Sequence, residues 1–333
     1  MRLIRARQPT ARVTHNALFD RVSGPDLAAE IDFFSHDQYP SFSRDWHGPA
    51  MAVRQARSLS FPFAILEQQV HSIGQVTYQL PTPAPGQIVL WAWQSIAHGC
   101  SDLFFFPYRT FPYGAEQLCR GLIEHDGRPS DMLDEVRVFV RELSKVDADF
   151  FRARPTRQIA LLRHFESECD DRFVHINRHA DDPRAAIHRA ADRLHLMLDE
   201  VWSLADADAY PLLIIPDLRH LDAAQCQQVE ARIRAGQPTL ISIHALTCTP
   251  AGHLKPASML RSLREALGVE PGWHTHAGKA RFGVDIAGVR METTGLTTTL
   301  TPVDAETVGV FSTDAPPPLG GRCAIARRGN TWT

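Results

Sequence analysis

The sequence predicts an α/β protein made of two successive units, and three observations lead to this prediction. A short apolar run, 62–66, ends abruptly in the carboxylate Glu67, as a buried strand of a parallel sheet would. A helix-forming stretch at 87–98 and a second apolar run at 102–109 continue the strand–helix–strand order of a barrel. From residue 157 onward strands and helices alternate again, which indicates an open parallel sheet.

The first unit has the elements of half a barrel. Its four candidate strands are 12–19, 30–36, 61–68 and 102–109. The helix Gln87–His98 has its apolar side chains on one face, and Gly99 is a natural left-handed stop. A last helix is predicted at 134–145. A complete (β/α)₈ barrel needs eight strands and about 250 residues, so we interpret this unit as strands five to eight.

The second unit alternates strands with helices and then becomes rich in β-branched residues. Strands are predicted at 158–164, 210–217, 239–243, 282–289, 295–300 and 306–311, and helices at 183–202 and 222–235. Asp222 and Gln225 form a capping box, and Gly236 ends that helix. The composition turns polar near Arg152 and Arg154, so we place domain one at 1–147, a linker at 148–156 and domain two at 157–333.

Composition excludes several classes of function. A hydrophobic content of 44% and a charged content of 22% are ordinary for a globular protein. A net charge of −3 without long runs of one sign argues against nucleic-acid and membrane-surface partners. No apolar run approaches the ~18 residues of a membrane span, and the amino terminus lacks a signal-peptide core. Six cysteines without Cys-x-x-Cys spacing predict no metal site, no cofactor and a cytoplasmic location.

Several short motifs resemble glycoside hydrolase family 42, the β-galactosidases built on a TIM barrel. They are Val13-Thr14-His15-Asn16, Asp37-Gln38-Tyr39-Pro40, Leu66-Glu67-Gln68, the stretches 85–87 and 90–99, Phe105-Phe106-Pro107-Tyr108-Arg109 and Tyr113-Gly114-Ala115-Glu116-Gln117. Their order and approximate spacing agree with the family. The resemblance implies hydrolysis of terminal β-galactosides with retention, with Glu67 as the nucleophile and Glu116 as a galactose-binding carboxylate.

Further residues are candidates for lining the sugar site. They are Asn16, Asp37, Tyr39, Trp46, Arg109 and His125. Several of the candidates have a structural alternative: Asn16 and Asp37 can satisfy loop backbone, Tyr39 can pack in the core, and His125 can be a surface histidine. Glu116 can pair with Arg109 or Arg120. Cys119 stands where the family usually has a histidine that hydrogen-bonds the sugar, and a thiol is a poor replacement donor.

The family's general acid/base is a glutamate in an Asn-Glu pair upstream of the segment that 13–16 matches. The residues before Val13 contain no such pair. We therefore expect Met1 to be the start of a truncated or mis-started reading frame, with impaired or absent activity. The alternative hypothesis is a non-catalytic remnant that serves as an oligomerisation scaffold.

The second unit resembles the family's trimerisation domain, which has the flavodoxin-like fold of class I glutamine amidotransferases. The resemblance rests on 211–216 and 235–240 and implies a homotrimer. Amidotransferase chemistry needs a cysteine on a sharp strand-to-helix turn. Cys226 lies inside a predicted helix, and Cys169 and Cys248 lie in polar segments that we predict to be loops. We therefore predict a scaffold without that activity.

Overall fold

The computed structural model describes residues 2–16, 22–42, 45–75, 77–174, 182–276, 278 and 280–333. The chain divides into two compact units, Met1–Thr156 and Arg157–Thr333. The helices of the first unit are α1 (Arg2–Arg7), α2 (Gly24–Glu30), α3 (His47–Leu59), α4 (Gln87–Ala97), α5 (Asp131–Leu143) and α6 (Ala148–Arg152), with a 3₁₀ turn at Pro40–Phe42. Its strands are β1 (Ser35–Gln38), β2 (Phe63–Gln69), β3 (Ile73–Gln75), β4 (Tyr78–Leu80) and β5 (Cys100–Phe106).

The first unit is built on a parallel sheet in the order β1-β2-β5. A parallel bridge between Asn16 and Ser35 continues the sheet beyond β1. Helices α3, α4 and α5 supply apolar side chains to the clusters that bury one face of the sheet, and Val53, Ile88 and Val136 are examples. The carboxyl ends of the strands therefore share one edge, as in a segment of a (β/α) barrel.

Two predicted strands of the first unit need correction. The stretch 30–36 is wrong in its first part, because residues 24–30 form α2 and the strand starts at Ser35. Ser23 caps α2 by accepting a hydrogen bond from the Asp26 amide, and a proline in the first turn suits a helix start. For the predicted strand 12–19, the structure shows the bridge at Asn16, and residues 17–19 lie outside the described residues.

The prediction for α4 is confirmed to within one residue. His98 caps the helix, and Gly99 follows with φ of 99°. A Cβ atom at Gly99 would lie 2.4 Å from a ring carbon of Phe61. Both the left-handed backbone and the close approach therefore require glycine.

The second unit contains an 11-stranded mixed sheet within the described residues. Its helices are α7 (Phe165–Val174), α8 (Pro183–Arg193), α9 (Leu204–Ala207), α10 (Ala223–Arg234) and α11 (Ala257–Leu267). Its strands are β6 (Ile159–Leu162), β7 (Leu198–Val201), β8 (Leu212–Ile215), β9 (Thr239–Ile241), β10 (Val269–His276), β11 (Phe282–Ile286), β12 (Val289–Thr293), β13 (Leu296–Pro302), β14 (Glu306–Phe311), β15 (Cys323–Arg328) and β16 (Thr331–Trp332).

The parallel part of this sheet has the strand order β7-β6-β8-β9-β16. In chain order this is 2-1-3-4-5, the flavodoxin-like arrangement that the resemblance implied. Alternate side chains of β6 enter two different cores: Ala160 and Leu162 face one, and Ile159 and Leu161 face the other. Both faces of the parallel sheet are therefore covered, as the doubly wound fold requires.

The predicted helix 183–202 is wrong beyond Arg193. Leu194 caps α8, His195 has φ of 54°, and residues 198–201 form β7, which pairs with β6. The segment around Cys169 that was predicted as a loop belongs to α7, and the capping box of Asp222 and Gln225 is present as predicted. Part of the predicted linker, 148–152, is helix α6, capped by Asp147.

Candidate active site

Glu67 is the fifth of seven residues in β2 and lies near the carboxyl end of that strand. Its Oε2 atom accepts a hydrogen bond from the Tyr39 hydroxyl, which follows β1 in the chain. Burial raises the pKa of the Tyr39 phenol, and the bond to Glu67 raises it further. Tyr39 therefore stays protonated and holds one carboxylate oxygen of Glu67 in place.

Asp37 lies directly opposite Glu67 in the register of β1 and β2. The Asn16 side-chain amide donates a hydrogen bond to Asp37 Oδ2, and Oδ1 is buried without a partner among the described residues. Burial raises the pKa of Asp37 to about 6; the charge of Glu67 acts in the same direction, against the Asn16 bond and the charge of His15. The site thus pairs two carboxyl groups with different environments.

The loop that carries Glu116 is tied to the segment after β2 through Cys119. The Cys119 thiol is buried; it donates to Gly74 O at 2.9 Å and accepts from Gly74 N at 3.3 Å. Burial raises the pKa of this thiol, the Gly74 amide bond opposes the rise, and the charges of Glu116 and Glu67 both add to it. The carboxylates of Glu67 and Glu116 are therefore both close enough to Cys119 to raise the pKa of its thiol.

The Glu116 side chain is exposed and forms no ion pair within the part of the chain that the structure describes. The predicted structural alternative for Glu116 is not what the structure shows. Arg120 pairs with Glu124, and Arg109 donates to the carbonyl of His125 at 3.0 Å. A free, exposed carboxylate beside the site is suited to bind a hydroxyl group from solution.

The contacts of the remaining predicted residues, Arg109, His125 and Trp46, are with other parts of the first unit. The His125 ring lies 2.9 Å from the Phe111 carbonyl, so Arg109 and His125 brace the loop between them. Trp46 precedes α3 with half of its surface exposed; its ring stacks on His47 and its carbonyl accepts from Gln94. The site-lining role of Trp46 stays a prediction.

Two contributors to the site escaped the sequence analysis. His15 acts electrostatically on Asp37, and its place beside Asn16 was a signal that could have found it. The backbone amide and carbonyl of Gly74 both form hydrogen bonds with the Cys119 thiol, and no motif in the sequence around Gly74 predicts that contact.

The described residues contain neither a cluster of metal-ligating side chains nor a helix suited to span a membrane. Within those residues no group of three or more His, Cys, Asp or Glu side chains is arranged to hold a metal ion. None of the helices described combines the length and the apolar character that a bilayer span requires.

A carboxylate bonded to a tyrosine near the strand ends of a barrel segment, followed by a flavodoxin-like domain, is the arrangement that the resemblance to the barrel-class glycoside hydrolases predicted. Two family models match the chain: the β-galactosidase model of glycoside hydrolase family 42 over residues 1–146, and the β-galactosidase trimerisation domain over 167–332. Between them they cover nearly the whole sequence. The chain therefore belongs to the β-galactosidases of glycoside hydrolase family 42.

Individual relatives agree with this assignment. A β-galactosidase of Thermus sp is 29% identical over 240 residues, which covers 65% of this chain and 36% of that protein. A β-galactosidase of Halorubrum lacusprofundi is 23% identical over 296 residues, covering 82% of this chain and 41% of the relative.

Solved structures show the same fold. A β-galactosidase from Halorubrum lacusprofundi superposes with a TM-score of 0.87 at 22% identity, covering 99% of this chain and 52% of that one. The β-galactosidase from Bacillus circulans sp. alkalophilus gives a TM-score of 0.85 at 18% identity, covering 99% and 51%. The chain thus spans about half the length of the solved structures that it matches.

Proposed function

We propose that the first unit carries the nucleophile side of a retaining β-galactosidase site, with Glu67 as the nucleophile. The observation that carries this proposal is the Glu67 carboxylate held by Tyr39 near the end of a parallel strand. The substrates are terminal β-galactosides of small oligosaccharides. Family membership supports this class of substrate, because the relatives named above are β-galactosidases.

The chemistry follows from the two oxygens of Glu67. Oε2 stays on the Tyr39 hydroxyl, and Oε1 attacks the anomeric carbon as the glycosidic C–O bond breaks. The product of this step is a glycosyl ester of Glu67, which water then hydrolyses with overall retention. The exposed carboxylate of Glu116 is an acceptor for a sugar hydroxyl group, and Asp37 is the second acceptor that the resemblance implies.

The leaving oxygen also needs a proton. Retaining glycosidases place the proton donor about 5 Å from the nucleophile, and general acid catalysis contributes about 10²–10⁴-fold. No residue of this sequence matches the family's Asn-Glu acid/base motif. We therefore expect a polypeptide of these 333 residues to act poorly on lactose and better on galactosides whose leaving group needs no proton.

The second unit is proposed to assemble the protein as a homotrimer. Its match to a trimerisation domain supports this role. A scaffold role without catalysis is the second candidate, and the observations that favour it are the match to a trimerisation domain and the absence of an Asn-Glu pair from these 333 residues. We also propose a cytoplasmic location, because all six cysteines are free, as in a reducing compartment.

Covalent trapping tests the nucleophile directly. The full chain is incubated with a 2-deoxy-2-fluoro-β-galactoside that has a dinitrophenolate leaving group, and the protein is digested and examined by mass spectrometry. We expect one adduct, on the peptide that contains Glu67, and none in Glu67→Gln. An adduct on another carboxylate, or an equal adduct in the variant, would refute the assignment. Absence of any adduct would favour the scaffold role.

A further inference from the structure

The second unit contains a cavity of about 670 Å³ that the proposed glycosidase site does not use. It opens at the carboxyl end of β9, next to Ser242. Leu260 and Leu263 of α11 line one side of it, and Leu296 of β13 contributes to the lining as well. Its volume lies within the range of small-molecule sites, roughly 300–1,000 Å³. In open α/β sheets, ligands bind at the carboxyl ends of the strands.

Polar side chains converge at one end of this cavity. The His244 Nε2 atom lies 3.3 Å from Thr298 Oγ1, and His274 is the register partner of Thr298 on the neighbouring strand. The His244 amide donates to Ser242 Oγ at 3.1 Å, and Ser242 in turn donates to Asp217. One imidazole ring and two hydroxyl groups are therefore connected at a lining that also holds His274, apolar side chains and two arginines.

The charge state of His244 indicates what kind of ligand group it can bind. Burial lowers the pKa of His244; the charge of Asp217 opposes this, and the charges of His274 and Arg219 add to it. His244 is therefore neutral near pH 7, and a neutral imidazole both donates and accepts hydrogen bonds, as a hydroxyl does.

The two arginines of the lining are already engaged. Arg219 forms an ion pair with Asp170 at 2.5 Å, and Arg264 forms one with Glu270 at 3.0 Å. Their charges are therefore offset within the protein, which removes the main attraction for an anionic ligand.

We propose that this cavity binds a small uncharged molecule that carries a hydroxyl group on an apolar body, the chemistry of a phenol or an apolar alcohol. The hydroxyl exchanges hydrogen bonds with His244 and Thr298. The apolar body packs against Leu260 and Leu263, where it removes apolar surface from water.

Three probes that share one benzene ring separate the contributions of the hydroxyl group, the apolar body and the charge. Phenol, benzene and benzoate are titrated into the full chain at pH 7.5, and the ring resonances of His244 and His274 are followed by NMR. We expect phenol to shift both rings and to bind about three- to tenfold more tightly than benzene, the value of one net hydrogen bond. Benzoate is expected to bind more weakly than phenol.

Matched variants locate the binding. Thr298→Val removes the hydroxyl partner at nearly constant shape and should abolish the advantage of phenol over benzene. Thr301→Val, at an exposed position of the same strand, is the control and should leave it unchanged. Leu263→Trp fills the cavity and should weaken all three probes, whereas Met259→Trp, exposed on the same helix, should not.

The proposal is overturned by any of three results. Equal affinity for phenol and benzene would show that His244 and Thr298 do not hydrogen-bond the hydroxyl group of the ligand. Tighter binding of benzoate would assign the cavity to anions instead. Undisturbed histidine resonances up to the solubility limit of phenol would show that the cavity takes no such ligand.

Discussion

Replacement of Asp37 by asparagine should change how the stability of the first unit depends on pH. The pKa of this carboxyl is raised from an ordinary 3.8 to about 6 in the folded protein, mainly by burial. A folded pKa above the unfolded value means that the folded state holds the proton more tightly. The first unit therefore loses stability as the pH rises from about 4 to about 6, and the loss is complete above the folded pKa.

The magnitude follows from the size of the shift. A difference of roughly two pKa units corresponds to about 3 kcal/mol at 1.36 kcal/mol per unit. Asp37 is half-buried, so solvent screening reduces this to about 1–2 kcal/mol. The substituted asparagine would have no proton to lose, and its side-chain oxygen would still accept the hydrogen bond of Asn16. We therefore expect Asp37→Asn to match the parent near pH 4 and to gain about 1–2 kcal/mol at pH 7.

Thermal unfolding of both proteins between pH 2 and 8, followed by circular dichroism and calorimetry, measures this difference. For a unit of this size, 1–2 kcal/mol corresponds to a rise of roughly 2–8 °C in Tm. Asp32→Asn is the control of opposite sign, because hydrogen bonding from the Val13 amide lowers the pKa of Asp32. That variant should be less stable at pH 7 and converge with the parent as the pH falls below the ordinary aspartate value. A pH-independent difference for Asp37→Asn would refute the argument.

Three further substitutions test other contacts by their effect on Tm. Cys119→Ala leaves the Gly74 amide and carbonyl without their thiol partner and should cost about 1–3 kcal/mol. Cys119→Ser should retain most of the stability, because a hydroxyl group can replace the thiol as donor and acceptor. Equal losses in the two variants would contradict the hydrogen-bonding role of Cys119. Asp222→Ala removes a capping box and should cost about 0.5–2 kcal/mol in the second unit; an unchanged Tm would speak against it. Arg163→Leu removes the arginine partner of the buried Glu200 carboxylate, which keeps its contact with His188, and should cost up to about 3–5 kcal/mol at pH 7. Burial alone would raise the pKa of Glu200, but Arg163 helps to lower it to about 2, so this deficit should shrink as the pH falls through 4.5 towards 2.

The sequence by itself determined the α/β class, the two-unit organisation and the main catalytic candidate. Glu67 follows an apolar run, Gly99 follows an amphipathic helix, and Asp222 precedes one with Gln225 three residues later. Each of these signals is local, because strand burial, helix termination and capping depend on neighbours within a few residues. The motifs around Glu67 also indicated the family before any coordinates.

Tertiary structure decided the contacts that set the chemistry of the site. Tyr39 lies 28 residues from Glu67, and Gly74 lies 45 residues from Cys119. Both contacts depend on strand register and loop packing. The same reason explains the wrong helix prediction after Arg193. Residues 198–201 form a strand because they pair with β6, which lies far away in the sequence. Local preference is worth a fraction of a kcal/mol per residue, so burial and long-range pairing override it.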